Sequence, residues 1–311
     1  MTTLLITSTH AVDHDTGPGH PESPDRIRAV VKALQQDSFK GLTRMTAPDA
    51  TVAQMARAHP QKFVEQILAA VPGRGYARID PDTVLSPGSG AAIVEAAGGL
   101  IAAVDAVAKG EADNAFCAVR PPGHHAESNR AMGFCLINNV AVGALHARAA
   151  HGYKRVAVVD FDVHHGNGTQ EIFWNDPDAF YASMHQFPNY PGTGRRSERG
   201  AHNNVVNVPV NPGSGGDVFR GGMTEDVLPA LMAFKPDFIF ISAGFDAHKD
   251  DPLADLKLTE NDFAWATHEL AKAAKTLCGG RLVSVLEGGY NLDALAASAV
   301  AHVDVLQSAA S

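Results

Sequence analysis

The chain has few of the features that would assign it a class on their own. Its three cysteines, Cys117, Cys135 and Cys278, are odd in number, far apart and without a CxxC pair. That excludes a disulfide framework and a thiolate zinc site, and it fits a reducing cytoplasm. Positive charge is also scarce. Lys and Arg total 25 against 34 Asp and Glu, a net charge of −9 with no run of one sign. A basic footprint for nucleic acid or for an anionic membrane surface is therefore missing, while a basic peptide or a cationic small molecule stays compatible. The opening residues MTTLLITSTH have no basic region and no apolar stretch long enough for a signal peptide. No window is expected to reach a transmembrane span, and neither internal repeats nor low-complexity tracts occur. No Pro/Ser-rich linker or charge block divides the 311 residues, so one cytoplasmic domain over residues 1–311 is expected.

What is present is an alternation of short apolar runs with longer helical segments. The strand candidates are TLLITS (3–8), AFCAV (115–119), RVAVV (155–159), FYASM (180–184), VVNVPV (205–210), DFIFIS (237–242) and LVSVL (282–286). Nearly continuous apolar runs of this kind suit strands covered on both faces. Helices are expected over SPDRIRAVVKALQQ from Ser23, with Pro24 at its first position, and over 89–109, 138–150, 259–277 and 291–307. Gly98 and Gly99 interrupt the second of these, as close packing against a sheet would require. The rhythm predicts an α/β domain on a mostly parallel sheet.

Four polar clusters follow four of the strand candidates: RPPGHHAES after AFCAV, DFDVHHGNG after RVAVV, AGFDAHKDDP after DFIFIS, and EGGYN after LVSVL. In a parallel sheet these ends share one edge, where α/β ligand sites form. In DFDVHH a period of two puts Asp160, Asp162 and His164 on one face of an extended strand, and Phe161, Val163 and His165 on the other. Asp162 and His164 can grip one ion, and Asp246 is the best candidate for a third ligand. Such a set leaves an open coordination position, as in catalytic zinc sites, although manganese or iron(II) accept the same donors. His124 and His125 suit acid–base work beside that ion. Tyr290 can aim a phenol at a developing oxyanion, and Gly288 and Gly289 let backbone approach a substrate. The blander assignments are loop residues at the rim for His14 and His20, structural histidines at His146, His151, His268 and His302, and buried apolar groups for the cysteines.

Together, RPPGHHAE, DFDVHHGNGTQ, SAGFDAHKDDPLA and LEGGYN resemble the histone deacetylase superfamily. DHDTGPGHPESPDRI and YPGTG extend the match over about 10–291. The likeness is strongest to the class II-type branch and the bacterial deacetylase-like amidohydrolases. It implies an arginase/deacetylase-type fold with an eight-stranded sheet between helices, and zinc held by Asp162, His164 and Asp246. By the same resemblance His125 is the general base and later acid, paired with Asn167, where class I members commonly carry aspartate. His124, paired with Asp160, gives electrostatic stabilisation. Phe161 stands where a tryptophan is common in that branch. Phe134 and Tyr190 would wall a tunnel for the acyl-lysine stem beside Gly133 and Leu253. A structural potassium would sit at Asp160, Asp162, His164, Ser183 and Met184, and Arg26 would line an internal cavity. The implied activity is zinc-dependent hydrolysis of an N-acyl amide, foremost acetyl-lysine. An acetylpolyamine is the second substrate class, with Leu253 standing where such enzymes tend to place an acid. A catalytically silent acyl-binding protein would have lost some of these residues, and a two-manganese ureohydrolase would need further bridging carboxylates.

Overall fold

A computed structural model describes residues 2–310. The strands along the chain are β1 (Thr3–Thr7), β2 (Thr43–Thr46), the small antiparallel pair β3 (Ala77–Arg78) and β4 (Val84–Leu85), β5 (Asn114–Ala118), β6 (Val156–Asp160), β7 (Ala179–Gln186), β8 (Val205–Val210), β9 (Phe238–Ala243) and β10 (Leu282–Leu286). Eight of them form one sheet in the order β2-β1-β5-β10-β9-β6-β7-β8, parallel throughout. Alternate side chains feed two separate cores. In β5, Phe116 and Ala118 enter one, with Ile27, Phe263 and Leu295 from the helices Pro24–Ala33, Glu260–Cys278 and Leu292–Ala309. Ala115 and Cys117 enter the other, with Leu100 and Val140 from Ser89–Ala108 and Asn139–His151. This is the single α/β domain that the alternation predicts.

Local chemistry starts and stops the helices. Asn138 accepts from the Ala141 N–H at 3.0 Å and Asn291 from the Ala294 N–H at 3.1 Å, while Thr259 and Asp262 form a capping box. Gly152 (φ 73°) and Gly279 (φ 63°) end two helices in the left-handed region.

The sequence pattern missed several elements. TRMT forms β2 at the sheet edge with all four residues exposed, so no apolar run marks it. Helices at Val52–Met55 and Gln61–Ala69, and a helical stretch from Gly216 to Phe234 with a π turn inside it, were also not expected. The first helix stops at Ala33, short of the two glutamines assigned to it. A further correction concerns membranes. Ser89–Ala108, 20 residues long, is apolar enough by length and composition to span one, yet 72% of its apolar window is buried inside the protein. It is a core helix.

The two glycines of that helix face different neighbours. Gly99 lies against Ile6 of β1 and Val119, where a Cβ would meet side chains at 3.3 and 3.4 Å; at Gly98 a Cβ would stand 1.8 Å from the Pro48 carbonyl oxygen. Helix propensity alone makes Gly98→Ala stabilising by about 1 kcal/mol. The contact with Pro48 reverses the sign: we expect a loss of about 1–3 kcal/mol, read from the midpoint of urea unfolding.

Candidate functional site

The four strands that carry the polar clusters, β5, β10, β9 and β6, are neighbours at the middle of the sheet, so their C-terminal loops meet. β6 ends at Asp160, and residues 161–165 are loop. Asp162 and His164 are thus brought together by a turn, which corrects the extended-strand face expected for them. Asp246 arrives from the loop after β9. Ligand atoms of Asp162, His164 and Asp246 all lie within 4.8 Å of one another, and the three residues are buried. His164 Nδ1 stands 3.2 Å from Asp162 Oδ1 and 3.1 Å from Asp246 Oδ2. The N–H groups of Gly288, Val163 and His164 donate to the two carboxylates at 2.8–2.9 Å. A Cβ on Gly288 would fall 2.1 Å from Asp246 Oδ2, and one on Gly244 2.1 Å from Asp162 Oδ2. Glycine is a requirement of this space.

The electrostatics of the cluster call for a cation. Burial, then the charge of Asp162, pushes the Asp246 carboxyl up to about 7. Burial opposes charging of His164, but its bonds to Asp162 and Asp246 raise it to about 10. Two carboxylates and an imidazole, dry and in mutual contact, are a donor set that fits one divalent ion with a position left open.

The tandem histidines have opposite surroundings. His124 Nδ1 lies 3.0 Å from Asp160 Oδ2, an oxygen that also accepts from the Tyr181 phenol at 3.0 Å. Burial disfavours its charge, but Asp162 and Asp160 outweigh that and raise it to about 10. His125 Nδ1 lies 2.8 Å from Asn167 Oδ1. Burial, and then the positive charge of His124 and His164, holds it well below the ordinary histidine value. One imidazole is therefore cationic at neutral pH and its neighbour neutral, with ring centroids 4.0 Å apart.

A cavity of about 240 Å³ opens over His125 and His164, lined also by Gly133, Phe134, Tyr190, Leu253 and Tyr290. Gly133 (φ 57°) and Phe134 (φ 68°) turn through the left-handed region. A Cβ at Gly133 would strike the His125 ring at 2.6 Å. Tyr190 and Leu253 are each 37% exposed and mark the mouth. The Tyr290 ring sits 5.9 Å from Phe134, and its N–H is fixed by Asp251 Oδ2 at 2.7 Å. Burial keeps its phenol well above the usual tyrosine value, so it remains a donor.

A family model described as histone deacetylase domain matches residues 20–306. The chain belongs to the histone deacetylase family. It is 41% identical over 278 residues to a histone deacetylase-like amidohydrolase of Pseudomonas aeruginosa, covering 88% of this chain and 73% of that one. It is 36% identical to a probable deacetylase of Archaeoglobus fulgidus, covering 94% and 82%. A crystal structure of the HDA15 HD domain superposes with a TM-score of 0.91 at 37% identity, over 98% of this chain and 88% of that one. The chain is thus a deacetylase-family hydrolase.

Other expectations about this family member are refined. Arg26 is a fully buried strut: it donates to Gly289 O at 2.6 Å, Glu287 O at 2.5 Å and Glu22 Oε1 at 2.8 Å, holding up the EGGY turn. Glu22 is clasped from its other side by Arg120. His14 is buried, bonded to Ser89 at 2.7 Å, and is no rim residue; His20 does reach the rim, 4.8 Å from the Phe134 ring. His165 is occupied by Thr193 and Gln170. Phe161 packs away from the ligands among Phe245 and Phe263. Ser183 lies opposite Asp160 in register, its hydroxyl 2.9 Å from His185 Nδ1, with Met184 buried beside it. Gly289 (φ 121°) forms the turn next to Tyr290.

Several carboxylates at the site went unnoticed in the sequence, Asp82 and Glu287 among them. Asp82 lines the cavity. Glu287, buried, accepts from the N–H groups of Gly123 and His124 at 2.7 and 3.1 Å and so holds the turn before the histidine pair. Only its place in LEGGYN could have signalled it. A second His/Asp group, Asp105 with His146 and His151, lies away from this edge. There Arg57 donates to His146 Nδ1, so Nε2 carries the proton and gives it to Asp105 at 2.7 Å. That network is complete without a metal.

Burial alone would raise Glu22, but Arg120 and Arg26 hold it down at about 2. A carboxylate depressed on folding stabilises above its unfolded value and loses that contribution as pH falls through the folded one. Stability should therefore decline from about pH 4.5 toward 2. Glu22→Gln should cost about 3–5 kcal/mol at pH 7 by leaving buried arginines unpaired; urea unfolding across pH measures both.

Proposed function

We propose that the chain is a zinc-dependent deacetylase that hydrolyses an N-acyl amide, foremost an acetylated lysine side chain. The observation that carries this is convergence: His164 of the ligand cluster, neutral His125 and the Tyr290 phenol line one cavity. A zinc ion held by Asp162, His164 and Asp246 would polarise the acyl carbonyl and acidify a water molecule. His125, tethered through Nδ1, has Nε2 to take a proton from that water. The new oxygen bonds to the carbonyl carbon, and Tyr290 donates to the oxygen that gains negative charge. His125 then returns the proton to the amine nitrogen as the C–N bond breaks, leaving a carboxylic acid and an amine, and the remaining water proton passes from acid to amine to give carboxylate and ammonium. Cationic His124, braced by Asp160, favours the negative charge that builds nearby. Gly133, Phe134, Tyr190 and Leu253 would flank the aliphatic stem, and Gly288 and Gly289 would admit the acyl end. A potassium ion among Asp160, Asp162, His164, Ser183 and Met184 is part of the same proposal, with the in-register pairing of Asp160 and Ser183 in its support.

Asp82 in the cavity wall favours a cationic chain beyond the acyl group, which keeps acetylated polyamines as the second substrate class. Turnover of an acetyl-lysine peptide against N-acetylputrescine decides between them: the peptide should be the better substrate by kcat/KM. Preference for the polyamine reverses the order, and turnover of neither removes the proposal. Tyr290→Phe should lower kcat by about 10²–10³-fold; unchanged turnover would deny it the oxyanion role.

A further inference from the structure

The pairing of His125 with an amide leaves a problem that the sequence did not expose. An asparagine side chain has an oxygen at one end and donors at the other, and it can present either to an imidazole. With its oxygen toward Nδ1 it holds the proton there and leaves Nε2 basic. With its NH₂ toward Nδ1 it imposes the other tautomer, and the ring nitrogen needed for proton transfer is already protonated. An aspartate in the same place would have no such ambiguity.

Three neighbours of Asn167 Nδ2 settle which way the amide turns, and all of them are acceptors. Glu127 Oε1 lies at 2.8 Å, the His125 carbonyl oxygen at 3.4 Å and Met132 Sδ at 3.4 Å. Glu127 is the close one, and a carboxylate cannot donate. Its own position is set by the chain reversal in which Glu127 and Arg130 pair, with the Glu127 N–H donating to Arg130 O at 2.9 Å. The next residue ties this turn to the helix that begins at Asn167: the Ser128 N–H and hydroxyl donate to Glu171 at 2.8 and 3.0 Å.

We propose that Glu127 is a positioning residue for the hydrolysis. By accepting from Asn167 Nδ2 it forces Asn167 Oδ1 toward His125 and so selects the Nδ1–H tautomer. The inference rests on the reading of His125 as general base. Polarity runs in one direction along the relay, from His125 Nδ1–H to Asn167 Oδ1, and from Asn167 Nδ2–H to Glu127. The amide thus behaves toward the imidazole as a carboxylate would, and the negative charge sits one residue further out.

The test is a polarity swap. Glu127→Gln supplies a donor as well as an acceptor and lets the amide turn over, so kcat should fall about 10–100-fold, part of the ~10²–10⁴ that a general base contributes. KM and the melting temperature should stay near those of the parent. Asn167→Asp alone should also be impaired, because two carboxylates then face each other. The double variant Glu127→Gln/Asn167→Asp restores one direction of polarity, with the introduced glutamine donating to the new carboxylate, and should recover most of the lost kcat. Packing alone gives no reason for that recovery. Full activity in Glu127→Gln, or no recovery in the double variant, overturns the inference. His125→Ala separates the two levels: if it is inactive while Glu127→Gln is fully active, the base keeps its role and only Glu127 loses its own. An active His125→Ala would sink the underlying mechanism.

Discussion

Two carboxylates that repel each other, Asp162 and Asp246, are held in one dry space, and much of the sheet edge serves to keep them there. They can meet because β6 and β9 are adjacent and parallel, so that their loops leave the sheet side by side. Three N–H groups and the His164 ring offset part of the repulsion, and glycine at 244 and 288 removes the atoms that would prevent the approach. Burial and mutual charge still leave Asp246 at about 7. A buried arrangement of this kind gains from added positive charge, which is what a divalent ion held by Asp162, His164 and Asp246 would supply.

The same logic differentiates two histidines that are neighbours in the chain. His124 faces carboxylates, which push its pKa up; His125 faces an amide and the raised His124, and burial with that neighbour pushes its pKa down. Identical side chains acquire opposite proton affinities because of what Asp160 and Asn167 place against them, the division of labour that the proposed mechanism uses. Behind this layer the Glu22 ion-pair network props the EGGY turn through Arg26, and Glu287 holds the Gly123–His124 peptide. Each depends on groups far apart in sequence that the parallel topology gathers at one edge.

That division explains how much could be read in advance. Continuous apolar runs revealed seven of the eight strands of the sheet, and the polar tetrad after β5, β6, β9 and β10 revealed where the site lies. β2 stayed hidden because an exposed edge strand of Thr, Arg and Met needs no apolar signature. The period-two argument for DFDVHH singled out the pair that lies with Asp246, but by the wrong geometry, since β6 ends at Asp160, before Asp162 and His164. Glu127, Glu287 and Asp82 were illegible as partners: Glu127 lies 40 residues from Asn167, and Glu287 lies 164 from Gly123. Local pattern reports a residue's own face and not what tertiary packing sets against it. His14 failed for the same reason, as nothing in its polar neighbourhood announced a buried contact with Ser89.

The central claim is that Asp162, His164 and Asp246 together hold one divalent ion on which hydrolysis depends. Its most direct test is elemental analysis of the purified chain and of Asp246→Asn, with hydrolysis of an acetyl-lysine peptide followed through exhaustive chelation and graded zinc add-back. One zinc per parent chain is predicted, lost from the variant, with activity returning in proportion to the ion bound. Full turnover by a chain shown to contain no metal would contradict the account.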